Sequence, residues 1–352
     1  WSPDGALYFL SSRSGSAQVW SWDFASEEAV QVTDLPLAVE SLRVGPGAAA
    51  LYLGLAVFPD CGDPVPCTAA RLEEKAAAKT SGLVFDRLFV RHWDSFKDGR
   101  RNHVFRLPID GEGAAGAPVD LMPGVDGDCP TLPWGGDGDY AVSPDDRFLV
   151  YTAKVVAGSE EAWSTDWDLW AVPTDGSTPA RCLTEDNPAW DSSPAFSPDG
   201  ATLAYLAMAR AGYEADRRRV VLMSWPDGAR RTVIEAWDRS PDALVWAADG
   251  KSLYATADNV GNHSLFRIDA GDGMVSALAT LHTNAEPRPL ADGRLVFARD
   301  SLVSPVELYV LGPGGGEPTA LTRHNEARLA ELGFGEYRQF SFVGAHLDEV
   351  SG

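Results

Sequence analysis

A short corner recurs along the chain, and it limits what the remaining residues can fold into. It reads WSPDG at 1–5, VSPDD at 142–146, FSPDG at 196–200, WAADG at 246–250 and PLADG at 289–293, with VGPGA at 44–48 as a sixth copy. Proline presets the φ of a turn's second position, and the Asp and Gly that follow tolerate the tight reversal. A strand-like run follows each corner: ALYFLSS, AALYLGL, RFLVYTA, ATLAYLA, KSLYATA and RLVFARD. A polar loop then leads to a second run: QVWSWD, HVFRLP, DLWAVP, VVLMSWPDG, SLFRID or ELYVLG. Apolar runs of this length bounded by turn residues are the signature of strands.

Each unit therefore reads as a small antiparallel sheet, and where loops are short the units recur every ~45–55 residues, the spacing of propeller blades. A lone blade cannot bury both faces, so blades stack around an axis. The expectation is an all-β chain, a β-propeller of about seven blades with six recognisable here, truncated at both ends. Residues 1–336 carry the blades, with an insertion at 58–103, and 337–352 carry the last propeller strands. The competing reading is a β-sandwich with coincidental turns.

No run approaches the roughly 20 apolar residues of a membrane helix. The formal net charge of −22 argues against a nucleic-acid partner, because the only basic cluster is Arg217, Arg218 and Arg219, which reads as a solvated face. No cofactor is expected: the six histidines are scattered, and neither CxxC nor HExxH occurs. Cys61 and Cys67 enclose GDPVP, close enough for a local disulfide. That bridge would imply an oxidising compartment, the periplasm or the cell exterior, with the cytoplasm as the alternative. Cys129 and Cys182 read as lone thiols.

Three long connections between second and third strands break the rhythm. In a blade the corner joins the first two strands at one rim, so these connections belong to the opposite rim. The longest contains TAARLEEKAAAK, residues 68–79, which reads as a short exposed helix with Thr68 as its N-cap. The others are VVAGSEEAWSTDWD at 155–168 and MARAGYEADRRR at 208–219. Arg91, His92, Trp93 and Asp94 stand together on the first; Glu160 and Glu161 precede Trp163 on the second; Tyr213 and Glu214 follow Gly212 on the third. Carboxylates beside aromatics suit a cationic amine, through charge-assisted hydrogen bonds and cation–π contact. An inter-loop salt bridge and a solvated loop would account for the same residues.

At these positions the chain resembles the prolyl oligopeptidase family of serine peptidases, in particular the dipeptidyl-peptidase-V-like and acylaminoacyl-peptidase-like branch. The resemblance rests on FDRLFVRHWDSFKDGRRNHVF, EEAWSTDWDLW, SPAFSPDGATLAYLAMARAGYEADR and the closing LTRHNEARLAELGFGEYRQFSFVGAHLDEVSG. It implies an N-terminal propeller followed by a C-terminal α/β-hydrolase domain, here absent, that carries Ser, Asp and His. No G-x-S-x-G occurs, so His92 and His346 have no nucleophile elbow to serve, and the chain alone is expected to be inert. The implied whole is an exopeptidase releasing dipeptides or acylated residues from peptide N-termini. Its propeller would select peptide substrates, with Glu161, Arg91, Trp93, Asp94 and Glu214 as candidate substrate-binding residues. The alternatives are a TolB-like propeller acting as a periplasmic binding module, and a polysaccharide-lyase-like propeller with a metal site.

Overall fold

The computed structural model describes residues 1–352 except 4, 87, 111, 112 and 157. Strand takes 41% of the chain and helix 8%, so the all-β expectation stands, in several sheets of which none closes on itself. The chain divides into two units, one of Trp1–Phe196 with Met208–Asp216, the other of Ser197–Ala207 with Arg217–Gly352.

In the first unit β1 (Leu7–Ser11), β2 (Gln18–Asp23) and β3 (Glu28–Gln31) form an antiparallel sheet in sequence order. The next strands are β4 (Val39–Val44), β5 (Ala50–Val57), β6 (Arg91–His92), β7 (Ser95–Phe96), β8 (Arg101–Asp110), β9 (Gly113–Ala114) and β10 (Val119–Asp120). The second sheet runs β4, β5, β8, β10, with β9 also on β8. Then β11 (Tyr140–Val142), β12 (Phe148–Ala153), β13 (Asp168–Pro173) and β14 (Arg181–Cys182) form the third. Strand β5 explains how the sheets bury their faces. Successive side chains alternate sides, so Leu51, Leu53, Leu55 and Val57 join one core with Val19, Phe105 and Leu107, while Ala50 and Tyr52 join another with Tyr140, Leu149 and Tyr151.

In the second unit Thr202–Ala207, Arg219–Ser224 and Arg230–Thr232 pair antiparallel, as do Pro241–Trp246, Ser252–Asn259, Asn262–Asp269 and Val275–Ala279. Thr283–Pro289, Leu295–Ser301, Ser304–Leu311 and Thr319–Ala320 follow the same plan, with Leu265, Leu295, Phe297 and Leu311 in one buried cluster. Residues Ser341–Val343 and Glu349–Ser351 pair as an exposed hairpin.

All six corners are closed turns. The fourth residue's N–H donates to the first residue's carbonyl at Gly5, Ala48, Asp146, Gly200, Gly250 and Gly293, over 2.8–3.0 Å. Each of these six residues has a positive φ, between 52° and 89°. Where serine leads, its Oγ accepts the N–H of the following strand: Ser2 from Ala6, Ser143 from Phe148 and Ser197 from Thr202.

The helix departs from its expected bounds. It spans Pro64–Ala77 rather than 68–79, because Pro64 occupies the first turn, where its missing N–H costs nothing. Thr68 is therefore not the N-cap. It lies inside the helix, fully buried, and its Oγ1 accepts the Phe58 N–H at 3.0 Å. Val65, Ala69 and Leu72 pack on the core beside β5, and a disulfide joins Cys61 to Cys67.

Candidate functional site

The three long connections meet in the first unit, and charge holds two of them together. Arg101 opens β8, where the insertion re-enters the sheet, and Lys97 follows β7. Glu161 lies in a short 3-10 turn, Gly158–Ala162, within the β12–β13 connection. Arg101 grips Glu161 with both guanidinium arms, Nη1 to Oε1 at 2.7 Å and Nη2 to Oε2 at 2.9 Å, and Lys97 Nζ donates to the same Oε1. Arg101 also reaches Asp126 through Nε at 2.7 Å and Asp128 through Nη1 at 3.0 Å. Asp128 in turn accepts the Asn102 N–H at 2.9 Å.

The side chains of Lys97, Arg101, Asp128 and Glu161 are 16%, 12%, 6% and 18% exposed. Two cations therefore face two anions largely out of water, a balance such burial demands. Burial alone would raise the Glu161 pKa, but hydrogen bonds from Arg101 and Lys97 outweigh it and hold the carboxyl at about 2. Lys154, at the end of β12, donates to the carbonyls of Glu161 (2.9 Å) and Ser164 (3.0 Å) and lies 4.9 Å from the Trp167 ring centre. Burial, and after it the nearby cations Lys97 and Arg101, lower its pKa. The third connection joins through Gly212, whose N–H donates to Thr165 Oγ1 at 2.7 Å.

Beside this cluster opens a cleft of about 620 Å³. Leu83, Phe85, Phe89 and Phe96 form its apolar wall, and Lys97, Arg101, Asp126 and Glu161 its charged one. Arg91 and His92 pair with Phe96 and Ser95 in a tight hairpin whose turn is Trp93 and Asp94. Trp93, with φ of 43°, is 71% exposed and meets Trp134, 74% exposed, edge to face at 4.9 Å. Arg91 donates to the Trp93 carbonyl. His92 packs on Phe89 at 4.0 Å between ring centres, and burial followed by Lys97 lowers its pKa. Asp94 is exposed and, among the described residues, makes no ion pair or side-chain hydrogen bond. Glu214 is exposed, in electrostatic reach of Lys154.

Of the residues singled out in the sequence, Glu161 thus sits at the cluster with its carboxylate engaged, Trp93 and Asp94 sit at a hairpin tip, and Glu214 stands on the third connection. Sequence reasoning missed Lys97, Arg101, Asp126, Asp128 and Lys154. One signal was available: Lys97, Arg100 and Arg101 crowd three cations into five residues of a chain with 29 cations against 51 acids. No cluster of metal-binding side chains occurs among the described residues.

No protein-family model matches the chain. It is homologous to proteins named dipeptidyl-peptidase 5: one from Aspergillus fumigatus at 28% identity over 99% of this chain and 51% of its own length, and one from Porphyromonas gingivalis at 28% over 72% and 37%. The chain spans about half the length of the relative it matches end to end. Among solved structures, an acylaminoacyl peptidase in complex with Z-Gly-Gly-Phe-chloromethyl ketone superposes with a TM-score of 0.70 at 18% identity, over 99% of this chain and 48% of that one. An oligogalacturonate lyase from Vibrio parahaemolyticus reaches 0.60 at 15% identity, over 92% and 76%, and TolB from Acinetobacter baumannii 0.50 at 12%, over 88% and 61%. These structural likenesses show the fold, a propeller-like all-β arrangement.

Proposed function

We propose that this chain is the substrate-selecting propeller of a serine exopeptidase that releases dipeptides, or acylated residues, from peptide N-termini. The observation that carries this reading is homology along 99% of the chain to a protein named dipeptidyl-peptidase 5. The six corner-led units are blades of a ring of about seven. The nucleophile, its base and the oxyanion hole belong to an α/β-hydrolase domain of the same polypeptide, in the part of the relatives this chain does not span. The disulfide between Cys61 and Cys67 supports an exported protein, in the periplasm or outside the cell.

Glu161 is already satisfied by Arg101 and Lys97, so an incoming ammonium would meet two cations before reaching it. Asp94 is the better acceptor. Its carboxylate is unengaged, and the neighbouring edge-to-face pair of Trp93 and Trp134 offers aromatic faces to a cation. Arg91 braces that hairpin, and Glu214 supplies a further negative charge on the third connection. Glu161 instead holds the loop that walls the cleft.

The direct test is to assay the intact polypeptide on dipeptidyl and N-acyl-aminoacyl substrates and to label it with a serine-reactive probe. Hydrolysis, with labelling confined to a serine beyond residue 352, supports the reading. Absence of both from the folded intact protein would leave the TolB-like alternative, a non-catalytic binding module, which the shared fold also supports.

A further inference from the structure

Arg101 contacts more of the site than any residue picked out from the sequence. Its guanidinium touches carboxylates from two other segments: Asp126 and Asp128 from the connection after β10, and Glu161 from the β12–β13 connection. Arg101 itself ends the insertion. Each of the three segments contributes lining to the cleft: Lys97 and Arg101 from the first, Asp126 from the second, Val156, Gly158 and Glu161 from the third. A planar guanidinium that spends its donors on a bidentate carboxylate and two further anions fixes angles as well as distances, which a lysine ammonium cannot.

We propose that Arg101 is a positioning residue for substrate: by locking three segments to one another it sets the width of the cleft and the placement of the Gly158–Ala162 turn. This rests on the exopeptidase reading for what the cleft receives, but not for the locking itself. The residues the lock would present are Glu160 and Trp163, exposed beside Glu161 on the same turn. Lys154 secures that turn from below through its carbonyls, so loss of Arg101 frees the turn laterally without releasing it from the sheet.

The test uses the intact polypeptide carrying Arg101→Lys, which keeps the charge and loses the fork, and the exchange pair Arg101→Glu with Glu161→Arg. For Arg101→Lys the expected result is KM raised about tenfold on peptide substrates with kcat within about twofold, a pattern of lost ground-state positioning. Hydrogen exchange at residues 158–164 should quicken at least about tenfold while β5 stays protected, with the exchange pair recovering part of both effects. Unchanged KM and unchanged exchange would overturn the proposal. So would faster exchange spread through β5 and β8, which would make Arg101 a support of the sheet alone. If the wild-type polypeptide hydrolyses no peptide, the exopeptidase reading fails separately, and exchange at 158–164 still decides the lock.

Discussion

The guanidinium of Arg101 and the carboxylate of Glu161, sixty residues apart in the chain, face each other fork to fork at 2.7 and 2.9 Å. Both are mostly buried. Removing either leaves a charge stranded out of water, which costs more than the pair itself contributes.

That pairing sets an acid limit. Glu161 is held at about 2 against an ordinary 4.5, so its folded pKa is depressed. The stability it contributes is fully present above pH ~4.5 and is lost as pH falls towards ~2. Denaturant unfolding of wild type and Glu161→Gln should therefore differ most at neutral pH and converge between pH ~4.5 and ~2. A difference that stays constant over that window would mean the pair is not formed.

Two carboxylates can be separated kinetically in the intact polypeptide. Asp94→Asn should lower kcat/KM for free-amine substrates about tenfold, equivalent to ~1.4 kcal/mol, and spare N-blocked ones. Glu161→Gln should lower both alike, because it disturbs the wall of the cleft. Selective loss at Glu161, with none at Asp94, would return the amine to Glu161.

The disulfide should contribute locally. Closing so short a loop is worth about 2 kcal/mol on the chain-entropy estimate. Replacing Cys61 and Cys67 together by serine should cost no more than that and loosen the helix at Pro64–Ala77, read by hydrogen exchange, while β5 stays protected. Two titratable thiols at these positions in the folded, exported protein would remove the argument for an oxidising compartment.

The corners give a stability test free of the site. Gly250 has φ of +67°, and a Cβ added there meets nothing closer than Pro198 Cδ at 3.7 Å. Gly250→Ala should thus cost only backbone strain, about 1–2 kcal/mol. Ala48, with φ of 52°, already bears that strain. Ala48→Gly should be neutral or gain up to about 1 kcal/mol, since relief of strain is offset by the entropy of a freer unfolded chain. Equal destabilisation by both changes, in thermal unfolding, would show that φ is not the controlling quantity.

The corners and the strands they join are legible in the amino-acid sequence because both are local. A turn needs only its own four residues, and a strand declares itself by its apolar run, so ALYLGL and FLVYTA emerge within β5 and β12. The helix was half legible. Its alanine-rich body is propensity, but its start at Pro64 depended on where the chain leaves β5, and burial drew Thr68 into the interior. The site was least legible. Glu161, Asp94 and Trp93 stood out by type, but nothing near Glu161 in sequence announces Arg101, Lys97 or Asp128. Ion pairing is decided by which side chains the sheets bring out of water together. That long-range convergence, a product of tertiary packing, turned a carboxylate that sequence offered to a ligand into one already held by its own fold.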